Sequence, residues 1–153
     1  MTEPGLIRKI LVATDGSEPA LEAARYAAEI ATCTKAEAVV LNAAEVSGIT
    51  QFMAYSVTGA GSMEGRLRET GQDIVEKTKK PFLEADVPVH TKIIEGFAAE
   101  VILTEARAGE YDLIAMGTRG LGASRIRRVL LGLGSVAERV AGSAPCPVLI
   151  VRG

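Results

Sequence analysis

Residues 116–135, MGTRGLGASRIRRVLLGLGS, set glycines at 117, 120, 122, 132 and 134 among arginines at 119, 125, 127 and 128. Glycines open the backbone to close approach, and free amides with nearby guanidinium groups suit a phosphate. A flexible linker accounts for the glycines but not for the arginines or the apolar Val129-Leu130-Leu131. A loop that wraps an anion accounts for both; basic side chains that are simply solvated are the plainer reading. Gly134-Ser135, where a helix should start, adds unpaired amides, a hydroxyl and the positive end of a helix dipole. The glycines are not spaced as GxxxxGK[ST], so this is no P-loop, and they do not follow the first strand, where a dinucleotide fingerprint belongs. A second candidate is Ala13-Thr14-Asp15-Gly16-Ser17. Asp15 suits a base amine, a ribose hydroxyl or a metal ion, and suits equally a turn in which its carboxylate bonds its own backbone.

These residues need elements to hold them. Ile7 to Thr14 reads as a strand apolar on both faces, broken by Asp15-Gly16-Ser17. Ser17 or a neighbour can cap a helix with an early Pro19 and with Leu21, Ala24, Ala28 and Ala31 at helical spacing. Glu37 to Ala44 is a second strand. A helix is expected from about Glu64 to Ala85, with Pro81 kinking it or ending its regular part. Val87 to Glu95 is a third strand, and Ala98 to Ala108 a helix stopped by Gly109. Tyr111 to Met116 is a fourth strand, Ser135 to Ala141 a helix ended by Gly142, and Pro147 to Arg152 a last strand. Strands alternating with helices predict an α/β fold with a mostly parallel sheet covered on both faces. Ligands of such sheets sit beyond the strands' carboxyl ends where strand order reverses. If the first and fourth strands are neighbours there, both candidate loops border one crevice. Residues 46–63, VSGITQFMAYSVTGAGSM, carry no charge; they fit a flap on a ligand or partner subunit, or an insertion packed on its own domain.

The chain has 153 residues, 48% of them apolar, which predicts one domain over 1–153 with a real core. A net charge of −2 gives nucleic acid and membrane surfaces no general attraction. The two cysteines and one histidine form no metal-like cluster. Cys33 and Cys146 read as packing residues and His90 as an ordinary strand residue. No signal-like segment and no long apolar run is present, so a cytoplasmic location is expected.

Three segments resemble the universal stress protein family and together span nearly the whole chain: KILVATDGSEPALEAARYA, DLIAMGTRG and GSVAERVAGSAPCPVLIV. The resemblance implies a single-domain, open twisted five-stranded parallel sheet of order 3-2-1-4-5 with helices on both faces. It also implies a homodimer through the C-terminal strand, which is an edge strand in that topology. One branch of the family binds ATP through G-x2-G-x9-G-[ST]. Gly117 and Gly120 match its first half, but position 130 is leucine, and Gly134-Ser135 comes four residues later than the pattern. By resemblance Asp15 contacts the nucleoside, with Ala13 beside it and the Ala43 backbone reading adenine. Met116 lines the pocket, and Gly117, Gly120, Gly134, Ser135 and Val136 meet the phosphates. Gly122 joins this set from the glycine spacing alone.

The expected ligand is thus ATP or another adenine nucleotide, with Mg²⁺ as a bridging ion that the family allows. The expected role is stress response or signalling through the dimer or a partner. Two alternatives stand beside it: a nucleotide-free adaptor of the same fold, and a slow ATPase. No nucleophile–base pair stands near the glycine loop, so at most weak hydrolysis is expected.

Overall fold

The computed structural model describes residues 5–44, 60–118 and 135–152. Its elements run β1 (Lys9–Ala13), α1 (Glu18–Thr34), β2 (Glu37–Ala44), α2 (Ala60–Glu84), β3 (Val89–Glu95), α3 (Ala98–Ala108), β4 (Leu113–Gly117), α4 (Ser135–Ser143) and β5 (Val148–Val151). The strands form one five-stranded parallel sheet in the order β3-β2-β1-β4-β5. This is the α/β architecture that the sequence resemblance implies.

The pleat sorts each central strand between two cores, because successive side chains point to opposite faces. Ile10 and Val12 of β1, Ala38 and Val40 of β2, and Leu113 and Ala115 of β4 pack with α1 and α2. Leu11 and Ala13, Val39 and Leu41, and Ile114 and Met116 pack on the other face with α3 and α4. That two-sided burial is why these strands read as continuous apolar runs. Helix α1 meets its core through Ala20, Ala23, Ala24, Ala27, Ala28 and Ala31, while Leu21 is only partly buried.

Several boundaries differ from the sequence expectation. β1 begins at Lys9 rather than Ile7, at the point where Asp112 Oδ2 accepts the amides of Arg8 and Lys9 at 2.9 and 3.0 Å. β3 begins at Val89, two residues after the expected Val87, and β4 is Leu113–Gly117 rather than Tyr111–Met116. Helix α2 begins at Ala60 and passes through Pro81 to Glu84; Phe82, fully buried against the sheet, holds its last turn in place. Helix α4 likewise passes through Gly142 to Ser143. Gly109 does cap α3, but in a right-handed conformation (φ −92°), and any Cβ there would run into the Tyr111 ring. No helix among the described residues is long and apolar enough to cross a membrane.

Candidate functional site

The reversal of strand order falls between β1 and its neighbour β4. Beyond the carboxyl ends of β1, β2 and β4 lies an open cleft of about 620 Å³, its solvent-facing mouth included. Ala13, Leu41, Ala43 and Met116 form its floor, and Ala98 and Ile102 of α3 form one wall with Val136 and Ala137 of α4. Ala20 of α1 closes another side, and the turns after β1 and β4 supply Thr14, Asp15, Ser17, Gly117 and Thr118.

Both candidate loops therefore border one crevice. Asp15 heads a turn in which its Oδ1 accepts the Ser17 amide at 2.9 Å. Gly16 takes φ +81° between them, which favours a residue without Cβ. The turn reading of Asp15 and its place on the cleft both hold, because the bond to Ser17 fixes where the carboxylate sits.

Gly117 lies at the end of β4 and borders the cleft, yet its want of a Cβ has a packing cause. A Cβ there would lie 2.7 Å from Pro19 Cβ and 2.9 Å from the Ala20 amide nitrogen. The first turn of α1 thus rests directly on the backbone of residue 117. Thr118 continues the sheet pairing through its amide, which donates to the Val151 carbonyl at 3.0 Å.

Of the residues singled out in the sequence, the structure brings Ala13, Asp15, Ala43, Met116, Gly117 and Val136 to one cleft. Ser135 opens α4 immediately before Val136 and is exposed. Gly120, Gly122, Gly134 and the arginines from 119 to 128 lie outside the described residues, as does most of the uncharged stretch from residue 46. Sequence reading missed Ala20, Leu41, Ala98, Ile102, Thr118 and Ala137; most are alanines or plain core residues, which carry no chemical signal of their own.

Among the described lining residues Asp15 alone is ionisable; the rest are apolar or bear hydroxyls. The strongly perturbed groups stand elsewhere. Burial and the hydrogen bond to Glu105 push the Tyr111 phenol far above its usual range. Glu105 is itself held below the usual carboxylate range: burial raises it, but Lys92 and Tyr111, at 2.6 and 2.9 Å, outweigh that. Burial, with Asp112 nearby, raises the Cys146 thiol. His90 is exposed on β3. Among the described residues no cluster of three His, Cys, Asp or Glu is placed to hold a metal ion. The described walls of the cleft offer a largely neutral face beside one carboxylate, and no acid–base pair is assembled among them.

A model of the universal stress protein family matches residues 6–152. Universal stress protein MJ0531 of Methanocaldococcus jannaschii is 40% identical over 148 residues, covering 96% of this chain and 83% of that protein. The solved structure of hypothetical protein MJ0577 superposes with a TM-score of 0.82 at 26% identity, covering 97% of this chain and 98% of that one. A universal stress protein in complex with cAMP gives a TM-score of 0.67 at 23% identity, over 95% and 96% of the two chains. An Arabidopsis thaliana family protein with AMP bound gives 0.63 at 19%, over 95% and 91%. At these last two identities the likeness is one of fold.

Proposed function

Because this chain belongs to the universal stress protein family, we propose that its cleft binds an adenine nucleotide, ATP or a near relative of it. The protein then acts in stress response or signalling through a homodimer or a partner rather than by turning over a substrate. The observation that carries this reading is the convergence of Ala13, Asp15, Ala43, Met116, Gly117 and Val136 on one cleft with a single carboxylate among its described lining residues. Apolar walls suit a purine base, and Asp15 suits a donor such as a ribose hydroxyl. The phosphates belong toward Gly117 and the start of α4 at Ser135, where helix amides lack intrahelical partners. In this reading Gly120, Gly122 and Gly134 are the further phosphate-contacting residues. Two solved proteins of this fold hold cAMP and AMP, which supports an adenine ligand as a class.

A Mg²⁺ ion fits as a passenger of the phosphates. Such ions commonly take one or two carboxylates and complete their shell with phosphate oxygens and water. Asp15 is the described residue able to share it, and bound there it would neutralise phosphate charge. Free Cys33 and Cys146 accord with a reducing, cytoplasmic setting.

Calorimetry on the full chain, freed of co-purified nucleotide, tests the proposal with ATP, ADP and AMP, with and without Mg²⁺. Micromolar or tighter binding that Gly120→Val abolishes is the expected result. A folded protein that binds none of the three would overturn it and leave the nucleotide-free adaptor.

A further inference from the structure

Thr14 precedes the Asp15 turn, and each of its polar groups has a partner. Its amide donates to the Leu41 carbonyl and its carbonyl accepts from Asn42 Nδ2, both at 2.9 Å. Its hydroxyl lies 3.0 Å from the hydroxyl of Thr78 on α2 and accepts the Gly16 amide at 3.1 Å. Thr78 Oγ1 in turn donates to the Ile74 carbonyl at 2.6 Å. A hydroxyl has one proton to give. That of Thr78 goes to Ile74, so Thr14 must donate to Thr78. The bonds therefore run in one direction, from the Gly16 amide through Thr14 and Thr78 to Ile74, and each polarises the next.

This chain crosses from the cleft to the opposite layer. Ala13 and Leu41 pack on the cleft side of the sheet; Thr14 also borders the cleft, yet its hydroxyl bonds Thr78 of α2 in the opposite layer, and Asn42 bonds the Thr14 carbonyl. The partner surface is one stripe of α2. Gly71 brings the helix close enough that a Cβ would lie 3.0 Å from Asn42 Oδ1, and a Cβ on Gly16 would lie 3.1 Å from Ile74 Cγ1. Thr78, fully buried one turn beyond Ile74, completes it.

We propose that Thr78 is a positioning residue for the cleft, fixing from the far side of the sheet the turn that presents Asp15. Ligand affinity and the seating of α2 are then coupled, and the coupling is reciprocal. The ligand's identity rests on the adenine-nucleotide reading above; the hydrogen-bond chain does not.

The test compares the full-length wild type with Thr78→Val and Thr78→Ser. Exchange of the Gly16 amide is followed by NMR in the ligand-free protein, and ATP binding by calorimetry. Valine removes the acceptor for the Thr14 hydroxyl, so Gly16 should exchange faster and ATP bind more weakly, each by about five- to tenfold. Serine should restore both. Thr78→Val with either quantity at its wild-type value would overturn the proposal. Should that variant not fold, the wild type still decides. A Gly16 amide exchanging like an open-loop amide overturns the proposal; a protected one, with ATP further slowing exchange at Thr78, supports it. A wild type that binds no nucleotide removes the adenine reading, while Gly16 exchange still tests the chain.

Discussion

Two glycines that look alike in sequence have opposite worth in the structure. Gly117 has the first turn of α1 pressed against it, so Gly117→Ala should lower stability by about 1–3 kcal/mol through overpacking. Gly142 sits within α4 with nothing inside 4 Å of where a Cβ would be. There alanine should raise stability by about 0.5–1 kcal/mol, because it narrows the unfolded ensemble and suits a helix. Urea unfolding of both variants checks the pair; equal effects would mean that the close approach at Pro19 is relieved cheaply. The loss at residue 117 should appear in the absence of nucleotide as well. Its glycine therefore has a reason to be there that any role toward a ligand would only add to.

Helix α3 is tied to its neighbouring strands by one carboxylate. Glu105 accepts from Tyr111, at the approach to β4, and from Lys92 on β3. Its value in the folded state lies below the ordinary 4.5, so its contribution is complete above that value and is lost as pH falls through the folded-state one. Glu105→Gln should therefore be less stable than wild type at neutral pH, with the gap closing as pH falls below the ordinary carboxylate value and through the lower folded-state one. Urea midpoints across that range check it; a gap independent of pH would show that the ionised form is not what matters. The strands were legible because buried parallel strands leave unbroken apolar runs and loops between them leave Asp-Gly or Gly-rich breaks, whereas their order in the sheet came from the family resemblance. Of the six candidate residues that meet at the cleft, Asp15 and Gly117 stand in the loops that this punctuation marks, whereas Ala13, Ala43, Met116 and Val136 entered through the family resemblance. Ala98 and Ile102 went unseen because a crossover helix delivers them from far along the chain. Thr78 went unseen because a mid-helix threonine looks like any other until its partner across the core is known. Pro81 lies inside α2 rather than ending it, and the fully buried Phe82 anchors the turn that follows.

For the molecule as a whole, the two sheet edges differ. β3 exposes His90, Lys92 and Glu95, and such charged edges discourage pairing with another strand. β5 reads Val-Leu-Ile-Val without a charge, and Val148, Leu149 and Ile150 are only partly buried. The bonds from Ile114 to Pro147 and from Thr118 to Val151 turn the odd-numbered residues of β5 toward β4. The Val148 and Ile150 amides then face outward, as alternation along a strand requires. In the homodimer we propose, Ile150→Pro removes one of those donors at an edge position that tolerates proline. Sedimentation equilibrium should show a dimer for wild type and a monomer for the variant; a monomeric wild type would retire the edge-pairing model.

The cleft is walled to an unusual degree by alanine, at 13, 20, 43, 98 and 137. Truncation there has only a methyl group to remove, so substitution at those points chiefly fills the cavity. A single-nucleotide change turns an alanine codon into one for valine, and a methyl group or two on the wall takes ligand space without disturbing any polar contact. On the adenine-nucleotide reading proposed above, one such step would be enough to silence the site. On the same reading, the ligand could be lost while the fold that carries the cleft is kept.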